Sequence, residues 1–389
     1  MTLSEVKTPE DEKEFILLPV ELYANEPHYI RPLDKDIQSI FDPSQNEYFK
    51  GGDCKRWLLK DQNKTIGRVA AFFNENQATK GNDYPVGGVG FFECINDQEA
   101  ANSLFEVAKE WLFEKGMKAF DGPVNFGERD KWWGCLIGGF DLEPNYCMPY
   151  NFPYYQQLFE NYGFREYFKQ FTFAKNLDEP LHPILAKKAE RVLKDSEYEF
   201  RHIQKKNWKK HAEEFRTVYN KAWAGHSGVA EMSKEQSIKI MKQILPIMDE
   251  TIIWFGYLND EPVCFYVNLP EVNQIFKHVN GKLDLIGKIK FLYHQLVKTN
   301  RKAYGVVFGV SPEHQGKGLE GALIMATDTV MQAEKNRRYD LLEFNWIGDF
   351  NPRMIKLLKL VGCYEGKTHA TYRYMIDETL EFKKPEILK

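Results

Sequence analysis

The stretch Tyr304 to Ala322, reading YGVVFGVSPEHQGKGLEGA, constrains this chain more than any other. Its first residues are rich in β-branched and aromatic side chains, as a buried strand requires, and Pro312 ends the ladder because it has no amide to donate. After Gln315, Gly316, Lys317 and Gly318, apolar residues recur at helical spacing through Leu319, Ala322, Leu323, Ala326 and Val330. The spacing predicts a helix that starts inside a glycine turn. Such a turn exposes successive N–H groups at the positive end of the helix dipole, which is a cradle for a pyrophosphate. The alternative is a plain strand-to-helix turn.

The run VSPEHQGKG resembles the acetyl-CoA loop of the GNAT N-acetyltransferase superfamily: Gln or Arg, two residues, Gly, one residue, then Gly or Ala. Gln315 and Gly318 match. Glu320 stands where the family has a small residue, close enough to crowd a pyrophosphate unless Gly321 and Ala322 take over. The resemblance implies an α/β fold with a mixed, mostly antiparallel twisted sheet, helices on both faces, and a splayed strand pair where acetyl-CoA lies.

The chain has 389 residues, enough for two domains of ordinary size. Its 52 basic and 56 acidic residues leave a net charge of −4, which gives no whole-chain reason to expect a nucleic acid or a membrane as partner. The partner expected is a small-molecule or peptide amine. No apolar run is long enough to span a bilayer, and the opening MTLSEVKTPEDEKEF lacks a signal-peptide core, so a cytoplasmic protein is expected. Six scattered cysteines, with no CxxC, speak against zinc.

Taken in order, the chain repeats itself in pattern. A hairpin over Arg56 to Phe73, then a strand and helix over Val89 to Gly116, match a hairpin over Thr251 to Leu269, then a strand and helix over Tyr304 to Lys335. The endings match as well: Asn161-Tyr162-Gly163-Phe164 and Leu360-Val361-Gly362-Cys363 each precede a strand rich in aromatics. The reading is two GNAT-like domains in tandem, residues 1–177 and 199–389, joined by a linker helix within 178–198. In the first half the turn Glu93 to Gln98 has no glycine, so that copy is expected not to bind phosphate. Residues 122–153, dense in Gly, Pro, Trp and Tyr, read either as a lid over a groove or as an aromatic plug between domains. Gly281 to Lys302 reads as an amphipathic helix with Leu283, Ile286, Ile289, Phe291, Leu292 and Leu296 turned inward, or as a basic rim for an anion.

Acetyl transfer needs a held thioester, a deprotonated amine and an acid for the leaving thiolate. The resemblance implies that Phe308, Gly309 and Val310 meet the pantetheine arm. Gln315, Gly316, Lys317, Gly318 and Leu319 would meet the pyrophosphate, and Asn351 opens the family's second motif. The tyrosine that many members place seven residues after that asparagine is Leu358 here, which leaves Tyr372 and Tyr374 as candidate acids. Glu343 is the candidate base, an exposed or salt-bridged strand residue being the other reading; His314 is expected to face solvent. Two further functions stay open: an inactive ligand-binding protein on this fold, favoured by Glu320 and Leu358, and an aminoacyl-tRNA-dependent acyltransferase, disfavoured by the near-neutral charge.

Overall fold

The computed structural model describes residues 1–223, 231–333 and 338–388. The strands are β1 Thr2–Glu5, β2 Gly52–Asp61, β3 Lys64–Asn74, β4 Val86–Cys94, β5 Ala119–Gly122, β6 Cys135–Gly138 and β7 Arg165–Asn176 in the first half. In the second half they are β8 Tyr198–His202, β9 Ile253–Leu258, β10 Glu261–Pro270, β11 Lys302–Val310, β12 Leu341–Gly348 and β13 Tyr364–Met375. Both expected hairpins are present. Their two-residue turns, Gln62-Asn63 and Asn259-Asp260, hold φ between 46° and 67°, the left-handed pair that a tight hairpin demands.

All thirteen described strands join one sheet, in the order β1-β2-β3-β4-β5-β13-β7-β12-β11-β10-β9-β8, with β6 beside β13. The order shows something that pattern alone hides: the last strand of each half crosses to the other. β13 pairs with β5 (Tyr372 opposite Gly122) and β7 pairs with β12 (Leu342 opposite Lys175), while β7 and β13 pair with each other at the centre. Each half's core is therefore completed by the other half's strand. Ala370 and Tyr372 of β13 pack with the helices Gln98–Glu114 and Tyr155–Tyr162, and Phe173 of β7 packs with the helices Leu319–Gln332 and Pro352–Val361. Lys175 of β7 also reaches Asp328 in the first of those helices at 3.1 Å, both side chains buried. On the opposite face of the sheet, Pro9–Leu22 covers the first half and Trp208–Trp223 with Lys234–Ile244 the second.

Alternate residues of β13, namely Lys367, His369, Thr371 and Arg373, are polar and buried. Residues 122–153 cover the first three, while Arg373 pairs with Asp121 at 2.6 Å. Lys367 Nζ donates to the Glu143 carbonyl at 3.2 Å, Trp133 Nε1 to Thr371 Oγ1 at 3.1 Å, and His369 Nε2 lies 3.4 Å from the Pro149 carbonyl. The same segment meets β12, where Trp346 Nε1 donates to the Arg129 carbonyl. It is a cover over the seam of the two halves.

Burial there pushes the His369 imidazole down to about 4, the Pro149 carbonyl opposing and Lys367 adding. The unfolded chain, with an ordinary histidine near 6.5, takes up this proton first as the pH falls. Stability should therefore be undiminished by this group above about pH 6.5 and decline by roughly 3 kcal/mol as the pH drops to about 4. Urea titrations across that range should show the loss, and His369→Gln should flatten it; an unchanged slope in the variant would assign the acid sensitivity elsewhere.

The segment after β10 departs from expectation. Leu285–Leu296 is a helix, but of its apolar residues only Phe291 packs inward, with Phe276 and Val279, while Ile286, Ile289, Leu292 and Leu296 are exposed. The cluster beneath is built by Leu33, Val272, Phe276 and Val279, and the helix meets it by one edge. That edge is Phe291, His294 stacked on His278 at 3.8 Å, and Gln295 donating to the Pro246 carbonyl. None of the described helices is long and apolar enough to cross a membrane.

Candidate functional site

Among the described strands only two neighbours run parallel, β4 with β5 and β11 with β12. β11 and β12 pair from Lys302 opposite Leu341 only as far as Gly305 opposite Phe344. Beyond that point β11 stays with β10, Phe308 facing Tyr266, and β12 stays with β7, Ile347 facing Phe171. The strands part, and a cavity of about 330 Å³ opens between them. Its walls are apolar: Val306 and Phe308 from β11, Phe344 and Trp346 from β12, Ile324 from the helix Leu319–Gln332, and Met354 and Leu358 from the helix Pro352–Val361. No carboxylate or cation lines it among the described residues.

At the far end of β11 the glycine turn takes the form that its composition requires. Gly316 and Gly318 hold φ of 74° and 95°, values that a side chain would strain, and Gly318 caps the helix Leu319–Gln332 with no side-chain oxygen in place. Among the described residues the amides of Gly316 through Gly321 donate to no carbonyl or side chain, and Ala322 is the first to find an acceptor, Gly318 O at 3.1 Å. A run of unpartnered amides at a helix N-terminus fits an anionic phosphate. Glu320 makes no hydrogen bond or ion pair among the described residues, so it does not occupy these amides. Its charge is felt instead by the Cys264 thiol on β10, which burial pushes well up and Glu320 pushes further. In the first half the corresponding helix is capped by Asp97, whose carboxylate accepts from the Ala100 amide at 2.9 Å. That helix mouth is filled and negative.

The expected cofactor residues fall into three settings. Phe308 and Asn351 line the cavity, and Asn351 also caps the helix Pro352–Val361 by accepting from the Met354 amide at 3.2 Å. Gly316, Lys317 and Gly318 form the open turn, with Lys317 exposed. Gly309, Val310, Gln315 and Leu319 serve the scaffold: Gly309 accommodates the Phe265 ring, Val310 and Leu319 are core, and Gln315 Nε2 donates to the Val310 carbonyl at 3.2 Å.

The expected catalytic residues are not gathered at the cavity. Tyr372 is wholly buried in the core of the first half, its hydroxyl 3.4 Å from Glu160, and Tyr374 packs against Phe120 and Tyr162 there. The strand exchange carries both away from β11. Glu343 is 1% exposed and held by Lys367 Nζ at 2.7 Å and Lys302 Nζ at 3.2 Å. Burial opposes its ionisation, but the two ammonium groups outweigh burial and hold its carboxyl below the usual range, which suits a structural anion better than a proton acceptor. His314, expected in solvent, is buried with its Nδ1 3.2 Å from the Tyr198 hydroxyl.

Two residues enter that the sequence did not single out. Tyr266 of β10 lines the cavity at 2% exposure, and its hydroxyl has no hydrogen-bond partner. Burial raises its pKa well above the ordinary phenol value, so it stays protonated and able to donate. Lys188, from the helix Pro183–Leu193, lies beside the turn: a Cβ built on Gly318 would come within 3.7 Å of the Lys188 Cβ. A strand tyrosine among apolar neighbours gives no signal of its role, and nothing local links residue 188 to residue 318.

No protein-family model matches the chain. A bacterial ceramide synthase of Caulobacter vibrioides is 26% identical over 375 residues, covering 94% of this chain and 95% of the relative. Protein YghO of Escherichia coli is 24% identical over 372 residues, covering 94% and 93%. Among solved structures, a tandem GNAT protein from the clavulanic acid biosynthesis pathway, solved without acetyl-CoA, aligns with a TM-score of 0.53 over 96% of this chain and 99% of its own, at 10% identity. A GCN5-related glucosamine N-acetyltransferase region of a fungal multi-domain β-N-acetylglucosaminidase aligns with a TM-score of 0.51 at 14% identity, over 96% of this chain and 38% of its own. With the repeated order of elements, the two parallel strand pairs and the glycine turn, these alignments establish that the chain has the tandem GNAT fold.

Proposed function

We propose that the second half transfers an acyl group from a coenzyme A thioester to a primary amine, and that the acyl chain is long. The observation that carries this reading is the splay of β11 from β12, an apolar cavity of about 330 Å³ that follows the same strand which ends in the unpartnered amides of Gly316 to Gly321. Those amides, with Lys317 and Lys188 beside them, would hold the diphosphate. Coenzyme A supplies the activated acyl carbon. The reaction forms a C–N amide bond and breaks the C–S thioester bond, with one proton passing from nitrogen to sulfur. Tyr266, whose side chain lines the cavity, would donate a hydrogen bond or a proton there, the role left open by Leu358. With no carboxylate in the described walls, the amine gives up its proton to water.

Acetyl-CoA is the donor that the glycine turn alone suggests. The chemistry of the walls favours a fatty chain, and a relative over nearly the whole length carries the name ceramide synthase, a name that denotes joining a fatty acyl group to a long-chain amino alcohol. That acceptor class is therefore our choice. The test is to offer the full-length protein a long-chain amino alcohol with acetyl-, octanoyl- or hexadecanoyl-CoA, following thiol release and the amide by mass spectrometry. Hexadecanoyl transfer should exceed acetyl transfer by about tenfold or more, in keeping with the added methylenes buried. Preference for acetyl-CoA would overturn the long-chain reading, and bound coenzyme without turnover across an amine panel would overturn the enzyme.

A further inference from the structure

The helix Leu285–Leu296 presents an apolar face that no described part of the chain covers. Leu285, Ile286, Ile289, Leu292, Tyr293 and Leu296 are each 55 to 80% exposed. At 100° per residue these six occupy one arc of about 120°, while Gly287, Phe291, His294 and Gln295, which hold the helix to the protein, occupy the opposite side. Lys288 and Lys290 fall about 40° beyond the two edges of the apolar arc, one on each flank. Of the basic residues in 281–302, Lys302 is buried against Glu343 and Arg301 pairs with Asp340, which leaves the exposed Lys282, Lys288, Lys290 and Lys298 against Asp284, the acid that caps the helix by accepting from the Gly287 amide. Such an arrangement is costly in water and ordinary at a lipid surface, where the apolar stripe enters the acyl boundary and the flanking ammonium groups meet phosphates.

We infer that this helix seats the protein on an anionic membrane surface, lying in the interface and not crossing it. Charge chooses the occupant. A second copy of the same face would bring the flanking Lys288 and Lys290 toward like charges, whereas anionic headgroups complement them. The expectation of no membrane partner came from a net charge averaged over the chain, and the averaging concealed this local excess. The inference does not rest on the acyl-transfer reading, since it concerns a different surface with a separate readout.

The test is sedimentation of the full-length protein with vesicles of phosphatidylcholine alone or with about one third phosphatidylglycerol. The protein should pellet with the anionic vesicles. Ile289→Glu with Leu292→Glu should reduce that binding more than about tenfold, and Lys288→Glu with Lys290→Glu should remove the preference for anionic lipid. All four side chains are exposed, so circular dichroism should report unchanged folding. The inference is overturned if the wild-type protein stays in the supernatant or pellets equally with both vesicles. It is overturned too if the Ile289→Glu, Leu292→Glu variant binds as before, or if light scattering shows a dimer that this variant splits, which would assign the face to a second copy.

Discussion

Glu343→Ala should destabilise the fold by about 3–5 kcal/mol, because it removes the carboxylate that pairs directly with two buried ammonium groups and leaves the more distant Glu271 to offset them. Lys367 and Lys302 converge on Glu343 from β13 and β11, and all three side chains are at most 7% exposed. Burial already pushes the Lys367 ammonium below its ordinary range, and the Lys302 cation pushes the same way while Glu343 opposes both. The cluster ties three strands together at the point where β11 and β12 begin to part. Its covering groups are also fixed: Lys302 Nζ reaches Asn145 Oδ1 at 3.3 Å, and Asn145 Nδ2 donates to Asn345 Oδ1 at 2.9 Å. Thermal and urea unfolding measure the loss. Adding Lys367→Met to Glu343→Ala should recover much of it, since one unpaired charge is then replaced by an apolar side chain of similar length. A single variant that unfolds with the wild-type midpoint would show that the ion pairs carry no weight here.

Tyr266→Phe should lower the turnover number about 100-fold or more while leaving the Michaelis constant for the thioester near its wild-type value. The substitution removes one oxygen from the cavity wall and nothing else. Since that hydroxyl is buried and unpartnered, its loss should leave stability level or slightly raised, so a fall in rate would not be a folding effect. Single-turnover thiol release, run beside a melting curve, separates the two. A rate within about twofold of wild type would take Tyr266 out of the chemistry and leave it as a wall of the groove.

Why some of this was legible in the sequence and some not follows from how local each signal is. The glycine turn was legible because glycine takes the positive φ of Gly316 and Gly318 without strain, and the hairpins because Asn and Asp accept the left-handed turn at residues 63, 259 and 260. The exchange of β7 and β13 was not. Both are long strands buried on both faces over much of their length, and either could close either half; the choice is made by pairing partners far apart in the chain. It is this exchange that removes Tyr372 and Tyr374 from the cavity and buries the polar side of β13 beneath residues 122–153. The helix Leu285–Leu296 shows the same limit in another form. Its period announces an apolar stripe, yet a period cannot tell whether protein or something else lies against it.

Calorimetric titration of coenzyme A into the full-length protein tests the central claim, that bare amides at the mouth of the helix Leu319–Gln332 receive a diphosphate. The account predicts saturable binding in the micromolar range, weakened about tenfold or more by Lys188→Glu together with Lys317→Glu, two exposed charge reversals that flank the turn. Absence of binding by the wild-type protein, or equal binding by the charge-reversed one, would contradict it.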